Sequence, residues 1–283
     1  MAPVIIFAFN RLDALINVIT SLLLNEEAQE SDLFVFVDGA REGKVGEREL
    51  VCSVCRYIEN IVGFKSVNYT FSETNKGLGN SVIKGVTEVI NRYGKAIVLE
   101  DDLILAPNFL FFMNQGLDKY KEEKSVFSIC GYSNKVKVPK DYSYDTYFCT
   151  RSSSWGWATW ADRWNSVDWE LENFDKYHIL KKEFNRWGGS DCWKMLNDWK
   201  CGRNKSWAIR FCFAQFLQKK VSLFPLLQVK CKMMVLMGKV QIVSAGVVFV
   251  VYLITRQKKS LHIRKMCLSI HSYFVLLLVI IPS

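Results

Sequence analysis

An apolar run that ends in three adjacent carboxylates constrains the fold of this chain more than any other feature. Residues 96–99 read Ala-Ile-Val-Leu, which is typical of a strand buried on both faces, and Glu100, Asp101 and Asp102 follow at once. In open α/β sheets, ligands bind beyond the carboxyl ends of the strands. Neighbouring carboxylates repel one another unless a cation neutralises them, and Mn²⁺ and Mg²⁺ prefer oxygen ligands. The run alone predicts either a site for a metal-held diphosphate or a simple acidic turn.

The pattern of apolar residues around this run predicts an α/β fold. Short apolar runs alternate with segments of helical periodicity from residue 4 to residue 130. Such alternation produces βαβ units, and their right-handed crossovers bring the strand ends to one edge. We therefore expect a Rossmann-like, mostly parallel sheet flanked by helices. The predicted strands are residues 4–9, 33–37, 66–71, 96–99, 126–130 and 221–224, and the predicted helices are residues 11–24, 47–61, 77–93, 107–120 and 207–218.

Three further motifs follow predicted strands and should meet the acids at that edge. Asn10 and Arg11 supply an amide and a cation, and Asp38 offers a carboxylate to the N–H of a base or to ribose hydroxyls. Lys76 lies in the loop Asn-Lys-Gly-Leu-Gly, just before a predicted helix N-terminus, where phosphates bind. Each motif also has a simpler interpretation, as a helix cap, a turn or a connecting loop.

Residues 142–169 form an aromatic segment that contains Trp155, Trp157 and Trp160. Because a glycine and several serines interrupt this segment, we expect it to be irregular rather than a core strand. Indole faces stack on the apolar faces of sugars, and the indole N–H donates to hydroxyls. The segment therefore predicts a surface that contacts a sugar or an acceptor, with an aromatic mini-core as the alternative.

Charge and cysteine usage limit the class of protein. The net charge of +9 falls to +1 over residues 1–226, since residues 227–283 hold eight Lys or Arg and no acid. A nearly neutral body does not call for a nucleic-acid partner. The nine cysteines show no zinc-binding spacing, and no secretory signal opens the sequence. We expect a cytoplasmic protein, with the basic tail at the inner face of the membrane as a further possibility.

Together these motifs resemble those of bacterial family-2-type glycosyltransferases related to the N-acetylglucosaminyltransferase I group, which have the glycosyltransferase-A fold. The resemblance covers residues 3–225 and depends on five motifs in the same order. The motifs are residues 7–11 (Phe-Ala-Phe-Asn-Arg), 36–39 (Phe-Val-Asp-Gly), 75–79, 98–109 and 154–160.

The resemblance implies transfer of a sugar from a nucleotide-sugar, such as a UDP-sugar, to a glycan or lipid-linked acceptor in surface-polysaccharide synthesis, with inversion. It places the nucleotide-sugar at Asn10, Arg11, Asp38, Lys76, Glu100 and Asp101, and Mn²⁺ or Mg²⁺ at Asp102. It implies a nucleotide-sugar-binding half, residues 1–105, and an aromatic-rich acceptor half, residues 106–226. Inverting relatives use an acidic base in the second half, for which the candidates are Asp191 and Asp198. Both are also plausible surface residues.

The tail after residue 226 departs from the pattern of these relatives, which continue with a block like Asn-x-Gly-Phe-Asp-Gly-x-Gly-Thr-x-Cys. In the frame that starts one base earlier, the third base of each codon joins the first two of the next. From Lys232 onward, synonymous codons then permit Asn-Asp-Gly-Phe-Asp-Gly-Lys-Gly-Thr-Asn-Cys. We expect a reading-frame shift between codons 225 and 230, which would remove part of the catalytic domain and inactivate it. A genuine membrane-associated segment is the alternative.

Two other functions remain open from the sequence. A sugar-phosphate nucleotidyltransferase shares the α/β layout and the acidic metal site, but it usually carries a Gly-rich motif near its N-terminus, which Asn10 and Arg11 do not provide. A non-catalytic carbohydrate-binding or membrane-associated protein would use the aromatic segment without the acids.

Overall fold

The computed structural model describes residues 1–133, 136–139 and 141–226, and these residues build an eight-stranded sheet with helices on both faces. The strands are β1 (Val4–Ala8), β2 (Asp32–Val37), β3 (Ser66–Phe71), β4 (Lys95–Glu100), β5 (Val126–Cys130), β6 (Thr146–Cys149), β7 (Trp157–Trp160) and β8 (Val221–Pro225). The helices are α1 (Leu12–Leu23), α2 (Glu47–Ile58), α3 (Leu78–Tyr93), α4 (Phe109–Lys119), α5 (Ala161–Trp164), α6 (Lys181–Gly188), α7 (Cys192–Lys200) and α8 (Trp207–Leu217). Two 3₁₀ segments span Glu26–Glu30 and Phe174–Leu180.

The first four strands form the parallel arrangement that the alternating pattern predicts. The order across the whole sheet is β3-β2-β1-β4-β7-β5-β8-β6, with β1 paired in parallel to both β2 and β4. A glycine ends α3, because Gly94 adopts φ +76° and donates its N–H to the carbonyl of Ile90. The next strand therefore starts at once and returns to the same edge. The predicted α/β fold is confirmed, and the carboxyl ends of these four strands share one edge.

The second half of the sheet is mixed. β7 is antiparallel to both of its neighbours, β4 and β5, and β6 is antiparallel to β8. Only β5 and β8 pair in parallel there. β7 also joins the two predicted halves of the chain, since it pairs directly with β4.

β7 corrects the expectation that the Trp-Gly-Trp segment is irregular. All four residues of β7 are buried, and the strand lies in the middle of the sheet. The glycine does not interrupt the strand, because Gly156 lies just before it with φ +65°. A Cβ at Gly156 would come within 3.2 Å of the Phe109 ring, so the chain needs a glycine to enter the sheet at this point.

The core forms two layers because side chains of buried strands alternate between the faces of the sheet. On one face Val4 and Ile6 pack among residues of α1, α2 and α4, and on the other Ile5 and Phe7 pack with residues of α3. A third cluster, which includes Phe213, joins the helices of the second half. Burial of each such side chain stabilises the fold by roughly 1.5–3 kcal/mol before the entropy cost of folding.

None of the helices in the described part of the chain combines the length and the apolar character that crossing a bilayer requires. The two predictions for residues 227–283, a frameshifted or a membrane-associated tail, lie outside the described residues.

Candidate functional site

Arg11 connects the ends of β1 and β4 at the carboxyl edge of the sheet. It lies at the N-terminal cap of α1. Its Nη2 pairs with Oδ1 of Asp101, and its Nη1 lies 3.2 Å from Oδ2 of Asp102. The Asp101 side chain is 5% exposed, whereas those of Arg11 and Asp102 are 45% and 46% exposed. The structure thus brings three predicted site residues together, and the cation between the two aspartates is a guanidinium.

The acidic cluster is short of positive charge even with this arginine in place. Burial, reinforced by the charges of Asp102 and Asp101, raises the pKa of Glu100 to about 7. Burial also raises the pKa of Asp101, and the opposing attraction of Arg11 only partly offsets it. One guanidinium therefore does not neutralise three carboxylates, and the cluster favours a further positive charge or a bound proton.

Asp38 ties the end of β2 to the start of α3. Its Oδ1 accepts hydrogen bonds from the amides of Lys76 at 2.8 Å and Gly39 at 3.1 Å, and its Oδ2 accepts from the amide of Gly77 at 2.8 Å. A Cβ at Gly39 would lie 2.5 Å from the carbonyl carbon of Thr74, so this approach of the two loops requires a glycine. Asp38 is 8% exposed, and its carboxylate is largely occupied by the protein's own backbone.

Lys76 projects from that loop at the edge of the sheet. Its Nζ lies 3.1 Å from Oγ of Ser72, and the lysine is exposed. The second glycine of the loop has a packing role, because a Cβ at Gly79 would lie 2.5 Å from the backbone oxygen of Lys205. The loop thus presents an exposed lysine beside the N-terminus of α3, and the backbone of Lys205 packs against this helix end.

A buried glutamate that the sequence analysis missed also lies near this edge. Glu47 accepts hydrogen bonds from Asn10 Nδ2 at 3.3 Å and from the backbone amide of Arg41 at 2.7 Å. The Arg41 guanidinium pairs with the same carboxylate, and its hydrogen bond is the main cause of a lowered pKa for Glu47. Asn10 therefore holds the first turn of α2 in this structure. This role of Glu47 could not be predicted from the sequence, because Glu47 is a single acid in a segment with helical periodicity.

Two of the three candidate tryptophans lie in the core, which corrects the expectation of a three-indole surface. Trp157 is 1% exposed and Trp160 is 3% exposed, on opposite faces of the sheet. The Trp160 indole donates to the backbone oxygen of Leu117 at 3.0 Å, and Trp157 stacks on Trp207. Period-two alternation in a central strand buries both indoles, so that of the three only Trp155 faces a cavity.

That cavity, which we call the aromatic cavity, has a volume of about 470 Å³, and five of its eighteen lining residues are aromatic. The rings of Trp155 and Tyr132 meet edge to face at 4.9 Å. Trp157 pairs with Val98, and a Cβ at Gly156 would lie 3.5 Å from Cδ2 of Leu99, so the chain that follows Trp155 runs beside the carboxyl-terminal part of β4. None of Glu100, Asp101 and Asp102 lines the cavity. Its other lining residues are Val136, Lys137, Val138, Tyr142, Tyr147, Cys149, Arg151, Ser152, Ser153, Ser154, Met195, Ser206, Ala208, Ile209, Cys212 and Phe224.

The two candidate bases have different surroundings. Asp191 receives both terminal nitrogens of Arg151, at 2.8 and 3.0 Å, and Arg151 lines the cavity. Burial pushes the pKa of Asp191 up, but the hydrogen bonds and charge of Arg151 outweigh it and leave the pKa lowered. Asp198 pairs with Lys194 and Arg203, whose hydrogen bonds lower its pKa, and it does not line the cavity. Neither carboxylate lines the aromatic cavity, but Asp191 is paired with Arg151, which does.

The acidic cluster suits a hard divalent cation in its chemistry but is not a preformed metal cage. Among the described residues, no three His, Cys, Asp or Glu side chains are arranged to hold one ion together. Asp101 and Asp102 do converge on a single cation, the Arg11 guanidinium, and carboxylate oxygens are the ligands that Mn²⁺ and Mg²⁺ favour. The donor set therefore fits such an ion once Arg11 gives up these contacts.

Comparison with known proteins finds structural likeness at low identity. No sequence-family profile and no curated protein matches the chain. The mannosyltransferase PcManGT from Pyrobaculum calidifontis, in complex with GDP-Man and Mn²⁺, is 10% identical with a TM-score of 0.37, over 62% of this chain and 47% of that one. TarS from S. aureus is 12% identical with a TM-score of 0.44, over 81% of this chain and 36% of that one.

A shorter form, TarS 1-349 in complex with UDP, is also 12% identical, with a TM-score of 0.41 over 81% of this chain and 59% of that one. The chain thus spans between 36% and 59% of the length of these structures. At such identities and TM-scores, the likeness does not extend to the role of any individual residue.

Proposed function

We propose that this chain is built as a glycosyltransferase of the glycosyltransferase-A type, which binds a nucleotide-sugar and a divalent cation at the carboxyl edge of β1, β2 and β4. The observation that carries the proposal is the meeting of Arg11, Asp101 and Asp102 at that edge, with Asp38 on the neighbouring strand. A cation and paired carboxylates at the ends of parallel strands suit a diphosphate and the metal that accompanies it.

A few residues at this edge would bind the nucleotide-sugar. Arg11 is half exposed and has five N–H donors, so it can bind a phosphate oxygen. Lys76 offers a second cation next to the N-terminus of α3. Asp38 holds the loop that carries Lys76, and any lone pair left by these amides would be available to the nucleoside. Asp101 and Asp102 would hold Mn²⁺ or Mg²⁺, which would offset the charge of the departing diphosphate.

The acceptor side is the aromatic cavity. Trp155 supplies an indole face for a sugar ring, and Asp191 is the candidate that accepts the proton of the acceptor hydroxyl. Arg151 keeps the Asp191 carboxylate ionised, so it can accept a hydrogen bond from the hydroxyl, but the lowered pKa makes it a weaker base. The acceptor is a glycan or a lipid-linked glycan of surface-polysaccharide synthesis, the sugar a hexose or N-acetylhexosamine, and the reaction inverts the anomeric centre.

Ligand-dependent thermal stability tests this function without requiring turnover. The full chain is melted with UDP- and GDP-sugars in the presence and absence of Mn²⁺, and with nucleoside triphosphate plus sugar phosphate. We expect stabilisation by a nucleotide-sugar only when the metal is present. Stabilisation by a triphosphate with a sugar phosphate would instead identify a nucleotidyltransferase, and no response to either set would identify a non-catalytic protein.

Transfer itself is measured on the frame-repaired gene product, by release of nucleoside diphosphate with a panel of glycan acceptors. We expect release that needs both donor and acceptor, and its loss in Asp102→Asn. Release that persists in this variant would remove Asp102 from the metal site.

A further inference from the structure

Arg11 occupies the place where the proposed function puts a metal ion. Its two terminal nitrogens reach two carboxylates, and both of these carboxylates are the proposed metal ligands. Arg11 itself was predicted to bind the nucleotide diphosphate. One side chain is therefore required at two positions, and the structure places it at the carboxylates.

The geometry makes these two positions mutually exclusive. A guanidinium and a divalent cation carry the same sign of charge, so sharing Asp101 and Asp102 would set the two cations against each other. A phosphate group competes with the carboxylates for the same N–H donors, because both are oxyanions that arginine binds with paired hydrogen bonds. The Arg11 side chain is 45% exposed and Asp102 46%, so a diphosphate can approach the guanidinium from solvent.

We infer that Arg11 is a displaceable resident cation that couples the binding of metal to the binding of a nucleoside diphosphate. In the free protein it holds the two aspartates and weakens their affinity for a metal. A diphosphate draws the guanidinium away, frees the aspartates and so favours metal binding. Linkage requires the reverse as well, so that metal raises the affinity for the diphosphate by the same factor. This inference rests on the proposed function and adds its regulation at the site.

The test compares Mn²⁺ binding to the full chain with and without saturating UDP, by the electron paramagnetic resonance signal of free Mn²⁺ and by calorimetry. The variants are Arg11→Gln and Arg11→Lys, with Arg92→Gln as a control that removes one exposed arginine at the last turn of α3. Thermal melts establish that each variant is folded. Arg11→Lys retains a positive charge beside the buried Asp101. If Arg11→Gln does not fold, Arg11→Lys still allows the measurement.

We expect UDP to raise the Mn²⁺ affinity of the wild-type chain by roughly five- to 150-fold, the usual range of coupling between sites. Arg11→Gln should bind Mn²⁺ alone more tightly than wild type, and its gain from UDP should fall to the part that direct contact between the metal and the diphosphate supplies. Arg11→Lys should lie between them, and Arg92→Gln should match wild type. Unchanged or weaker Mn²⁺ binding by Arg11→Gln, or an unchanged gain from UDP, overturns this inference alone. Absence of both Mn²⁺ and UDP binding in the wild-type chain overturns the proposed function as well.

Discussion

Glu100 makes the stability of this protein depend on pH at the scale of a single residue. Burial first, and then the charges of Asp102 and Asp101, raise its pKa from the ordinary 4.5 to about 7. Between these values the folded chain holds a proton that the unfolded chain has released, so stability falls as pH rises through this window. Above about pH 7 both states are ionised and the loss is complete.

Glu100→Gln should remove this pH dependence, because glutamine stays neutral. In EDTA, we expect the free energy of unfolding of the wild-type chain to fall by about 1–3 kcal/mol between pH 5 and pH 7.5, at about 1.4 kcal/mol per unit of pKa shift. The variant should lose most of this fall, whereas the exposed Glu122→Gln should retain it. Urea titrations at several pH values measure the free energy of unfolding of each protein. If this free energy changed with pH in parallel for wild type and Glu100→Gln, the account would be contradicted.

Replacement by alanine should affect mainly stability at Trp157 and mainly glycan binding at Trp155. Trp157 is 1% exposed within a stack of aromatic rings, so Trp157→Ala should cost about 3–5 kcal/mol of unfolding free energy. Trp155 lines the cavity and should cost much less, while weakening the binding of acceptor glycans. Chemical denaturation and glycan titration separate these effects. Equal losses of stability would contradict the placement of Trp155 in the cavity wall.

At the residue scale, the acids at the end of β4 could be predicted, because adjacent acids after an apolar run form a recognisable pattern. It did not identify the partner of Asp101, since Arg11 lies 90 residues away and only the sheet brings the two together. It also assigned the indoles of Trp157 and Trp160 to a ligand surface, because hydroxyls and a glycine nearby concealed the alternation of a central strand.

At the scale of elements, the carboxylate of Asp38 holds α3 against the end of β2. It accepts two amide hydrogen bonds from the loop before the helix, from Lys76 and Gly77. Asp38→Asn places an N–H group against one of these donors, which should cost about 1–3 kcal/mol in unfolding free energy. Asp118→Asn, which breaks an exposed ion pair with Lys95, should cost about 1 kcal/mol or less.

Urea denaturation of both variants gives the comparison, and hydrogen exchange shows whether the amides of Lys76 and Gly77 lose protection. If Asp38→Asn is no less stable than Asp118→Asn, then Asp38 does not hold the loop, and its carboxylate is free for another partner.

Elements with a strong period were predictable, and those that depend on distant partners were not. The strands at 66–71 and 126–130 have their predicted bounds, and the main helices end within three residues of the prediction. β6, β7 and the helices α5 to α7 were missed because they are short: the two strands and α5 have four residues each, α6 has eight and α7 has nine. The antiparallel entry of β7 depends on its pairing with β4 and β5, which no local pattern encodes.

At the scale of the whole molecule, the tail after residue 226 is predicted to result from a shifted reading frame. Residues 227–283 hold eight Lys or Arg and no acid, although the last acid is already Asp198, and the shifted codons permit a motif that the resemblance expects. Independent sequencing of the gene around codon 228 should reveal one inserted or missing base, and restoring the frame should yield a chain with acidic residues beyond 226. The same unbroken frame in every independent read would refute the shift and favour a basic, membrane-associated tail.

The central claim is that acids at the carboxyl edge of the sheet bind a divalent ion that carries a diphosphate. Calorimetry of UDP binding to the full chain, with Mn²⁺ and with EDTA, tests it most directly, using Asp102→Asn against Asp118→Asn as matched losses of one exposed carboxylate. We expect UDP to bind with Mn²⁺, to bind at least tenfold more weakly in EDTA, an effect of about 1.4 kcal/mol, and to lose this difference only in Asp102→Asn. No heat with Mn²⁺ and UDP on a folded sample, or equal binding in EDTA, would contradict the account.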